Sequence, residues 1–410
     1  MQAFDYLIIG GGVASVTAAE EIRSRDAGAS VAIVSGEAEP LYSRVLLPHY
    51  VKGRIRREQV FLRKAEDYDA RGIRRIAGER AVAIDTARRE VFLASGDAIG
   101  FRKVIIASGG TPRPLGIPGE GLKGVSRFQT IADADQMLGW LKDAKAAVVL
   151  GAGFIALEYL DILAERKIPT TLLFRGPHFF SGRIDAAGGE FLAANFRRHG
   201  ITIMPNRGVS RLEGKERITA VVTITGERIR ADFLGAGIGV SKDQEWLRRG
   251  GIAVGESGVR VNEYLEAAVP GVFATGDAAE IADTATGRAR SHGNWGHAVF
   301  SGKIAAENAL GKSALVRCDA VSSYSIRSIG LGVVFLGDTR LGGAAHTVSR
   351  LDPNEAWYEC FIIEQGRVVG VALINRGSDR ASALRLIREG VRLANPGILS
   401  NPALDLGAVS

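Results

Sequence analysis

Tyr6-Leu7-Ile8-Ile9-Gly10-Gly11-Gly12-Val13-Ala14-Ser15 is the stretch on which the reading of this chain turns. Leu7 to Ile9 is an unbroken apolar run, the pattern of a strand buried on both faces, and beyond the glycines Ala14, Ala18 and Ile22 recur at helical spacing. Val31 to Val34 supplies a second strand and closes a βαβ unit of the ~30-residue size that binds half of a dinucleotide. In Gly10-x-Gly12-x-x-Ser15 the glycines stand where a chain must turn tightly and let a pyrophosphate approach the backbone at a helix N-terminus. The acidic residue that would meet a ribose hydroxyl is displaced: Ser35 and Gly36 come first and Glu37 follows, so Glu37 is the candidate.

The arrangement then repeats. Ala146 to Leu150 reads as a strand, Gly151-Ala152-Gly153 as the turn, Phe154 to Glu165 as the helix and Thr170 to Phe174 as the next strand. Gly151-x-Gly153-x-x-Ala156 is therefore a second dinucleotide motif. Its following strand ends in Phe174 and Arg175, where an NAD-preferring site more often carries a carboxylate, which leaves NADH and NADPH both open. Arg175 either meets a 2′-phosphate or is an exposed loop arginine.

Between the two units, Val104 to Ala107 is another buried-type strand, and the Gly- and Pro-rich stretch Ser108 to Gly119 suits a domain crossing. Phe233 to Val240, with three glycines, suggests the return crossing. Beyond about residue 316 the pattern changes: Trp357 to Ile363, Gln365-Gly366 and Val368 to Ile374 read as a hairpin, and Ser378 as the cap of a short helix ending at Gly390. The expected class is α/β, with two Rossmann-like dinucleotide-binding domains and a C-terminal α+β domain. The expected boundaries are 1–112 with 235–315, then 113–234, then 316–410.

Composition narrows the chemistry. The 410 residues are 46% hydrophobic and 24% charged, enough apolar material for real cores, and the 52 glycines fall in short clusters rather than at a regular period. Two cysteines, Cys318 and Cys360, exclude a disulfide framework, a four-cysteine zinc site and a cysteine-ligated iron-sulfur cluster. No metal site is expected, since His292 and His297 lack further ligands at suitable spacing. Electron chemistry would run on a bound organic cofactor. Met1 leads into an apolar strand without a basic n-region, and the longest apolar stretch, Ala146 to Leu157, has only 12 residues, so the expectation is a cytoplasmic chain without a membrane span.

The ordered motifs together resemble the FAD-dependent pyridine nucleotide reductases: rubredoxin and ferredoxin reductases, NADH oxidases and the flavin part of nitrite reductase. The residues that carry the resemblance are Gly10 to Ser15, Tyr42 to Leu47, Ala107 to Pro114 with Ile117-Pro118-Gly119, Gly151 to Glu158, Gly237 to Val240 and Thr275-Gly276-Asp277. The resemblance implies FAD on the N-terminal unit, with Gly10, Gly12, Val13, Ala14, Glu37, Arg44, Val82, Ala107, Ser108, Gly109, Arg113, Gly276, Asp277 and Trp295 contributing. Val82 would offer its backbone to the adenine, and Asp277 would bind the ribityl or phosphate region. Trp295 would either pack by the flavin or belong to the core. NADH or NADPH would lie on Gly151, Gly153, Phe154, Ile155, Arg175 and Gly237. Glu158 is carried over as a residue near the nicotinamide and flavin rings, or else a helix-pairing glutamate.

Relatives that reduce disulfides or peroxides need a redox cysteine near the flavin, and in some of them it falls at what is here Val45. In ferredoxin reductases of oxygenase systems a lysine pairs with the glutamate, and the register puts His49 in its place, as a titratable partner of Glu158 or a plain loop histidine. The resemblance implies an NAD(P)H:acceptor oxidoreductase that passes electrons through FAD to a separate acceptor. That acceptor would be a small iron-sulfur or iron protein such as ferredoxin or rubredoxin, or a partner reductase subunit. The alternatives are an NADH oxidase, a quinone reductase, or a redox-sensing interaction protein like the apoptosis-inducing flavoproteins. Of the net charge of +7, +4 lies between Arg54 and Arg80, a surface suited to an acidic carrier or a plain solvated face. No recognition motif for nucleic acid accompanies the charge, and a homo-oligomer is left open.

Overall fold

The computed structural model of the chain describes residues 2–283, 285–319, 321–352, 354 and 356–409. The backbone gathers into two compact units, one from residues 1–45, 56–111 and 241–320, the other from residues 46–55, 112–240 and 321–410.

In the first unit the strand Gln2–Ile9 lies at the centre of a sheet, parallel to Val31–Ser35 on one side and Ala98–Ile106 on the other, with Ile73–Ala77 beyond Val31–Ser35. On its other edge Ala98–Ile106 serves two further partners. Its first residues pair antiparallel with Glu90–Leu93, while Val104 to Ile106 pair in parallel with Val272–Ala274. The apolar run predicted from the sequence is buried as expected: Tyr6 and Ile8 point into one core, with the helices Val13–Arg25 and Trp295–Leu310, and Leu7 and Ile9 into the other. Those two helices pack closely enough that a Cβ on Gly302 would sit 2.6 Å from the Ala14 carbonyl oxygen.

The second unit holds a parallel sheet in the spatial order Ile201–Met204, Thr170–Leu173, Ala147–Leu150, Phe233–Ala236, Val125–Ser126. The helix Phe154–Glu165 follows the central strand with the bounds the sequence pattern predicts. Phe233–Ala236 lies inside this sheet, so the return crossing begins after it rather than at Phe233. A separate antiparallel sheet runs Ser323–Ser328, Leu331–Gly337, Arg367–Ile374, Tyr358–Glu364, His346–Leu351. Its predicted hairpin turns at Gln365 and Gly366, both at positive φ. The short helix covers Arg380–Glu389 and ends at Gly390 in the left-handed conformation. Its N-cap is Asp379 rather than Ser378, because Gly377–Asp379 forms a 3-10 turn ahead of it.

One topological feature bears on the site. Residues 46–55 leave the first unit and pack on the second, where Tyr50 donates to Asp135 at 2.8 Å, the Arg166 guanidinium donates to the Val51 carbonyl at 2.6 Å and Arg54 makes a two-pronged bond to Glu165.

Candidate functional site

In the first unit the predicted residues collect at the carboxyl ends of the parallel strands, where ligands bind in open α/β sheets. Gly10 follows Gln2–Ile9, Glu37 follows Val31–Ser35, Ala107 to Gly109 follow Ala98–Ile106, and Gly276 and Asp277 follow Val272–Ala274. Gly10 has φ +129°, and a Cβ there would stand 2.2 Å from the Ala107 carbonyl oxygen, so this position admits only glycine. Gly12 differs: a Cβ would meet nothing within 4 Å. Gly12 caps the helix Val13–Arg25 without a side-chain bond, and no acidic residue stands in its first turn. The amide groups of that turn, Val13 and Ala14 among them, thus lack a side-chain cap and stand at the positive end of a helix dipole.

The second unit builds the same cradle from different residues. Gly151 has φ +127°, with the position of a Cβ 2.2 Å from the Gly237 carbonyl oxygen. Gly153 again faces open space and again caps its helix, Phe154–Glu165, without a side chain or a first-turn acid. Phe154 is fixed by rings: Tyr324 at 3.7 Å between centroids, with Phe180 at 5.1 Å and Phe335 at 5.2 Å. Ile155 and Arg175 are exposed. Arg207 donates its amide to the Phe174 carbonyl at 2.9 Å beside Arg175, and its guanidinium holds Glu227 at 2.8 Å.

Glu37 is drawn back to its strand end by Ser35, whose hydroxyl accepts from the Glu37 amide at 3.2 Å. Its carboxylate takes bonds from Tyr42 and from Arg44 at 2.5 Å. Asp277 sits in a 3-10 turn, Gly276–Ala278, anchored by the Gly276 amide donating to Ser301 Oγ at 3.1 Å. Burial raises its carboxyl above the usual carboxylate range, with Lys242 and Arg44 pulling it down, and the carboxyl oxygens have no hydrogen-bond partner among the described residues. The sequence reading did not select Lys242. Its ammonium donates to the Ser257 carbonyl and burial lowers its pKa. A lysine two residues beyond the Gly237–Val240 motif was the available signal. Val82 lies in the strand Ala81–Asp85, but the register with Glu90–Leu93 slips between Ala81 and Ala83, so Val82 is left out of the pairing. Trp295 is the half-buried first residue of its helix. Arg113 belongs to the second unit, its guanidinium bonded to the Val240 carbonyl at 3.1 Å.

Glu158 is half-buried on the helix Phe154–Glu165, and its carboxyl has no hydrogen-bond partner among the described residues. Burial pushes it up to about 8, with Lys52 lowering and Asp161 raising it. No hydrogen bond joins His49 to Glu158 among the described residues, and His49 lies in the short helix Leu47–Val51 rather than in a loop. The charges around His49 are Lys52, Arg54, Asp161 and Glu165, and burial lowers its pKa. Lys52, three residues on and one turn further along, is the cation nearest in effect to Glu158 and lowers its pKa at a distance, but its bond goes to Asp161 at 2.5 Å. Lys52 and Asp161 were both missed from the sequence. Asp161 stands three residues after Glu158, on the same helix face.

The basic run from Arg54 to Arg80 is also corrected as a single surface. Arg54 pairs with Glu165, Arg57 with Glu39, Arg63 with Glu20 and Arg71 with Glu20 and Asp67, so much of its charge is neutralised locally. Both cysteines are buried and free, and burial pushes each thiol up to about 12, far from the thiolate that disulfide exchange requires. Val45 is 55% exposed, with no sulfur at that place.

Two glycine-turned, uncapped helix N-termini, each at the end of a buried parallel strand, define a protein with two dinucleotide-binding cradles, and the open space at Gly12 and Gly153 fits two pyrophosphates. The pyridine nucleotide-disulphide oxidoreductase family matches residues 4–302, and the chain belongs to it. It is an oxidoreductase that binds FAD and uses NAD(P)H. The chain is 30% identical over 402 residues to the 5,5'-dehydrodivanillate O-demethylase ferredoxin reductase subunit of Sphingobium sp., covering 96% of this chain and 95% of that protein. It is 26% identical to the NADH oxidase of Methanocaldococcus jannaschii, covering 83% and 76%. The putidaredoxin reductase in its covalent complex with putidaredoxin shares the fold, with a TM-score of 0.90 at 23% identity over 98% of this chain and 97% of that one. Among the described residues no helix is long and apolar enough to cross a membrane.

Proposed function

We propose that the protein takes reducing equivalents from NAD(P)H onto FAD and passes them to a separate small iron-sulfur carrier protein. The observation that carries this reading is the pair of matching cradles at Gly10–Gly12 and Gly151–Gly153 in a chain whose two thiols are buried and protonated. Two dinucleotides are accommodated and no disulfide relay is available, so electrons must leave for an external acceptor. The ferredoxin reductase subunit aligned along almost the whole chain supports a ferredoxin-like acceptor.

In this reading residues 1–112 and 241–315 hold FAD, 113–240 hold NAD(P)H, the expected boundary at 235 moving because Phe233–Ala236 lies in the second unit's sheet, and 316–410 form the interface domain. The flavin supplies the hydride-accepting and electron-releasing chemistry. The protein's residues supply placement. The amides after Gly12 and Gly153 neutralise pyrophosphate charge, Glu37 accepts from ribose hydroxyls, Val82 offers its unpaired backbone to the adenine, and Asp277 accepts from a ribityl hydroxyl. Arg44, tied to Glu37, holds the nucleotide end of the site in place. A cavity of about 680 Å³ on the second unit, lined by Arg54, Asp161 and the hairpin Ser325 to Val334, carries the exposed cation of Arg327, which has no partner among the described residues, and suits an acidic carrier.

Anaerobic stopped-flow reduction of the purified protein by NADH and by NADPH, followed by mixing with ferredoxin, rubredoxin, quinone or oxygen, tests the proposal. The expected result is rapid bleaching of a bound flavin and rapid reoxidation by an iron-sulfur protein. Fast reoxidation by oxygen or quinone alone would replace the carrier with that acceptor, and a preparation without flavin would end the reading.

A further inference from the structure

The helix Phe154–Glu165 presents two carboxyl groups three residues apart, Glu158 and Asp161, to a single lysine. Lys52 arrives from the segment that packs on this unit, with its side chain only 3% exposed, so its ammonium needs a partner. Asp161 supplies it at 2.5 Å through one oxygen, while its other oxygen accepts from the Ile329 amide at 2.7 Å. Ile329 is the first turn residue of the hairpin formed by Ser323–Ser328 and Leu331–Gly337. It has φ +49°, a strained conformation for a β-branched residue, and the neighbouring Ser328 hydroxyl donates to the Leu157 carbonyl at 2.8 Å. Both oxygens of Asp161 are thereby committed. Glu158 has no hydrogen-bond partner among the described residues.

We propose that Asp161 is a positioning residue: by fixing the Lys52 ammonium to itself and to the hairpin tip, and by its own negative charge, it keeps that cation from pairing with the Glu158 carboxyl. The assignment of Glu158 to the nicotinamide side of the site rests on the function proposed above; the competition for Lys52 does not. The groups that bear on the competition are Lys52 from the 46–55 segment and Asp161 from the same helix, with His49 and Arg54 near Lys52, Glu165 at the helix end and Asp133 beyond Tyr159. The hairpin contributes a backbone amide to the cluster. A glutamic acid kept out of that pair can hold or release a proton as the nucleotide beside it changes charge, which a lysine-paired carboxylate cannot do.

The direction in which Glu158 departs from an ordinary carboxyl agrees with this geometry and sets the test. An acid whose pKa is higher in the folded than in the unfolded chain loses stability as pH rises from the unfolded value to the folded one, and no further beyond it. The full-length protein and Glu158→Gln are compared by thermal unfolding from pH 4 to 9, and the same comparison is made in the Asp161→Asn background. Asparagine keeps the acceptor for the Ile329 amide but releases the lysine. The expected result is a loss of Tm relative to Glu158→Gln that levels off near pH 8 in the native background and at least one pH unit lower in the Asp161→Asn background. Levelling at the same pH in both backgrounds overturns the proposal. If Asp161→Asn does not fold, the native comparison decides by itself, because levelling at or below about pH 5, near the value of an unperturbed carboxyl, means that Glu158 is already ionised and paired. The curves need no turnover, so a protein whose flavin is not reduced by either nucleotide would sink the proposed function and leave this inference standing or falling on its own.

Discussion

At the scale of single residues, Arg175 and Asp277 make opposite demands on their ligands. Arg175 is exposed and has no partner among the described residues, at the end of a strand that offers no carboxylate to a ribose, beside Arg207, whose charge Glu227 already answers. A charge-assisted bond from Arg175 to a 2′-phosphate is worth about 1.5–3 kcal/mol. Arg175→Ala is therefore expected to raise the KM for NADPH about tenfold and to leave that for NADH within about twofold. Steady-state kinetics with both donors would show it, and equal effects on the two would place Arg175 outside the nucleotide site. Asp277 has no phosphate to meet with its own charge, but its unbonded oxygens can accept from a hydroxyl. Asp277→Ala is expected to weaken retention of FAD by about tenfold or more, read by flavin fluorescence after dilution. Unchanged retention would mean the carboxyl is directed elsewhere.

At the scale of elements, the two cradles separate folding from binding. Gly10 and Gly151 are demanded by the backbone: each has a φ near +130° and a carbonyl oxygen 2.2 Å from where a Cβ would stand. Alanine at either is expected to lower stability, strain of this kind costing roughly 1–3 kcal/mol before the clash is counted. Gly12 and Gly153 are free of contacts and lie at ordinary φ, so alanine there fits the fold. It does not fit a pyrophosphate that needs the same space. Gly12→Ala is thus expected to fold with a Tm close to that of the parent and to be purified without flavin, and Gly153→Ala to keep its flavin but to be reduced slowly by NAD(P)H. Calorimetry with absorption spectra distinguishes the two. A Gly12→Ala protein that remains yellow would show that the first helix N-terminus does not hold the pyrophosphate.

The same elements show what the sequence could and could not convey. Strand, turn and helix at 7–22 and 146–165 were legible because their signals are local: apolar runs, glycines at fixed offsets and a 3.6-residue period. The hairpin at Gln365-Gly366 was legible for the same reason. The role of Lys52 was not, because it depends on residues 46–55 crossing to the other unit and meeting Asp161, more than a hundred residues away, and no local pattern encodes that approach. The resemblance pointed to His49, but the cation that acts on Glu158 is Lys52, one turn later. Val82 was placed by resemblance, and the slipped register that frees its backbone is a property of the pairing with Glu90–Leu93, invisible in either strand alone.

At the scale of the whole molecule, the net charge of +7 has a kinetic consequence for the proposed carrier. An acidic partner is drawn by the summed field of the protein, and that attraction is screened over about 10 Å at 0.1 M salt. The second-order rate of carrier reduction is therefore expected to fall steeply, about tenfold or more, between low and high ionic strength, while the first-order step by which saturating NAD(P)H bleaches the flavin changes little. The sequence located the charge between Arg54 and Arg80, yet the ion pairs to Glu165, Glu39, Glu20 and Asp67 answer much of it. Arg327, exposed on the edge strand Ser323–Ser328 and without a partner among the described residues, is the better test of where the carrier docks. Arg327→Glu removes a charge from the hairpin and adds the opposite one, so carrier reduction at low salt should slow several-fold and converge with the parent at high salt, where screening erases the difference. Arg71→Glu, in the neutralised run, should slow it much less. If Arg71→Glu has the larger effect, the carrier approaches the first unit, and the C-terminal sheet is then free for another role.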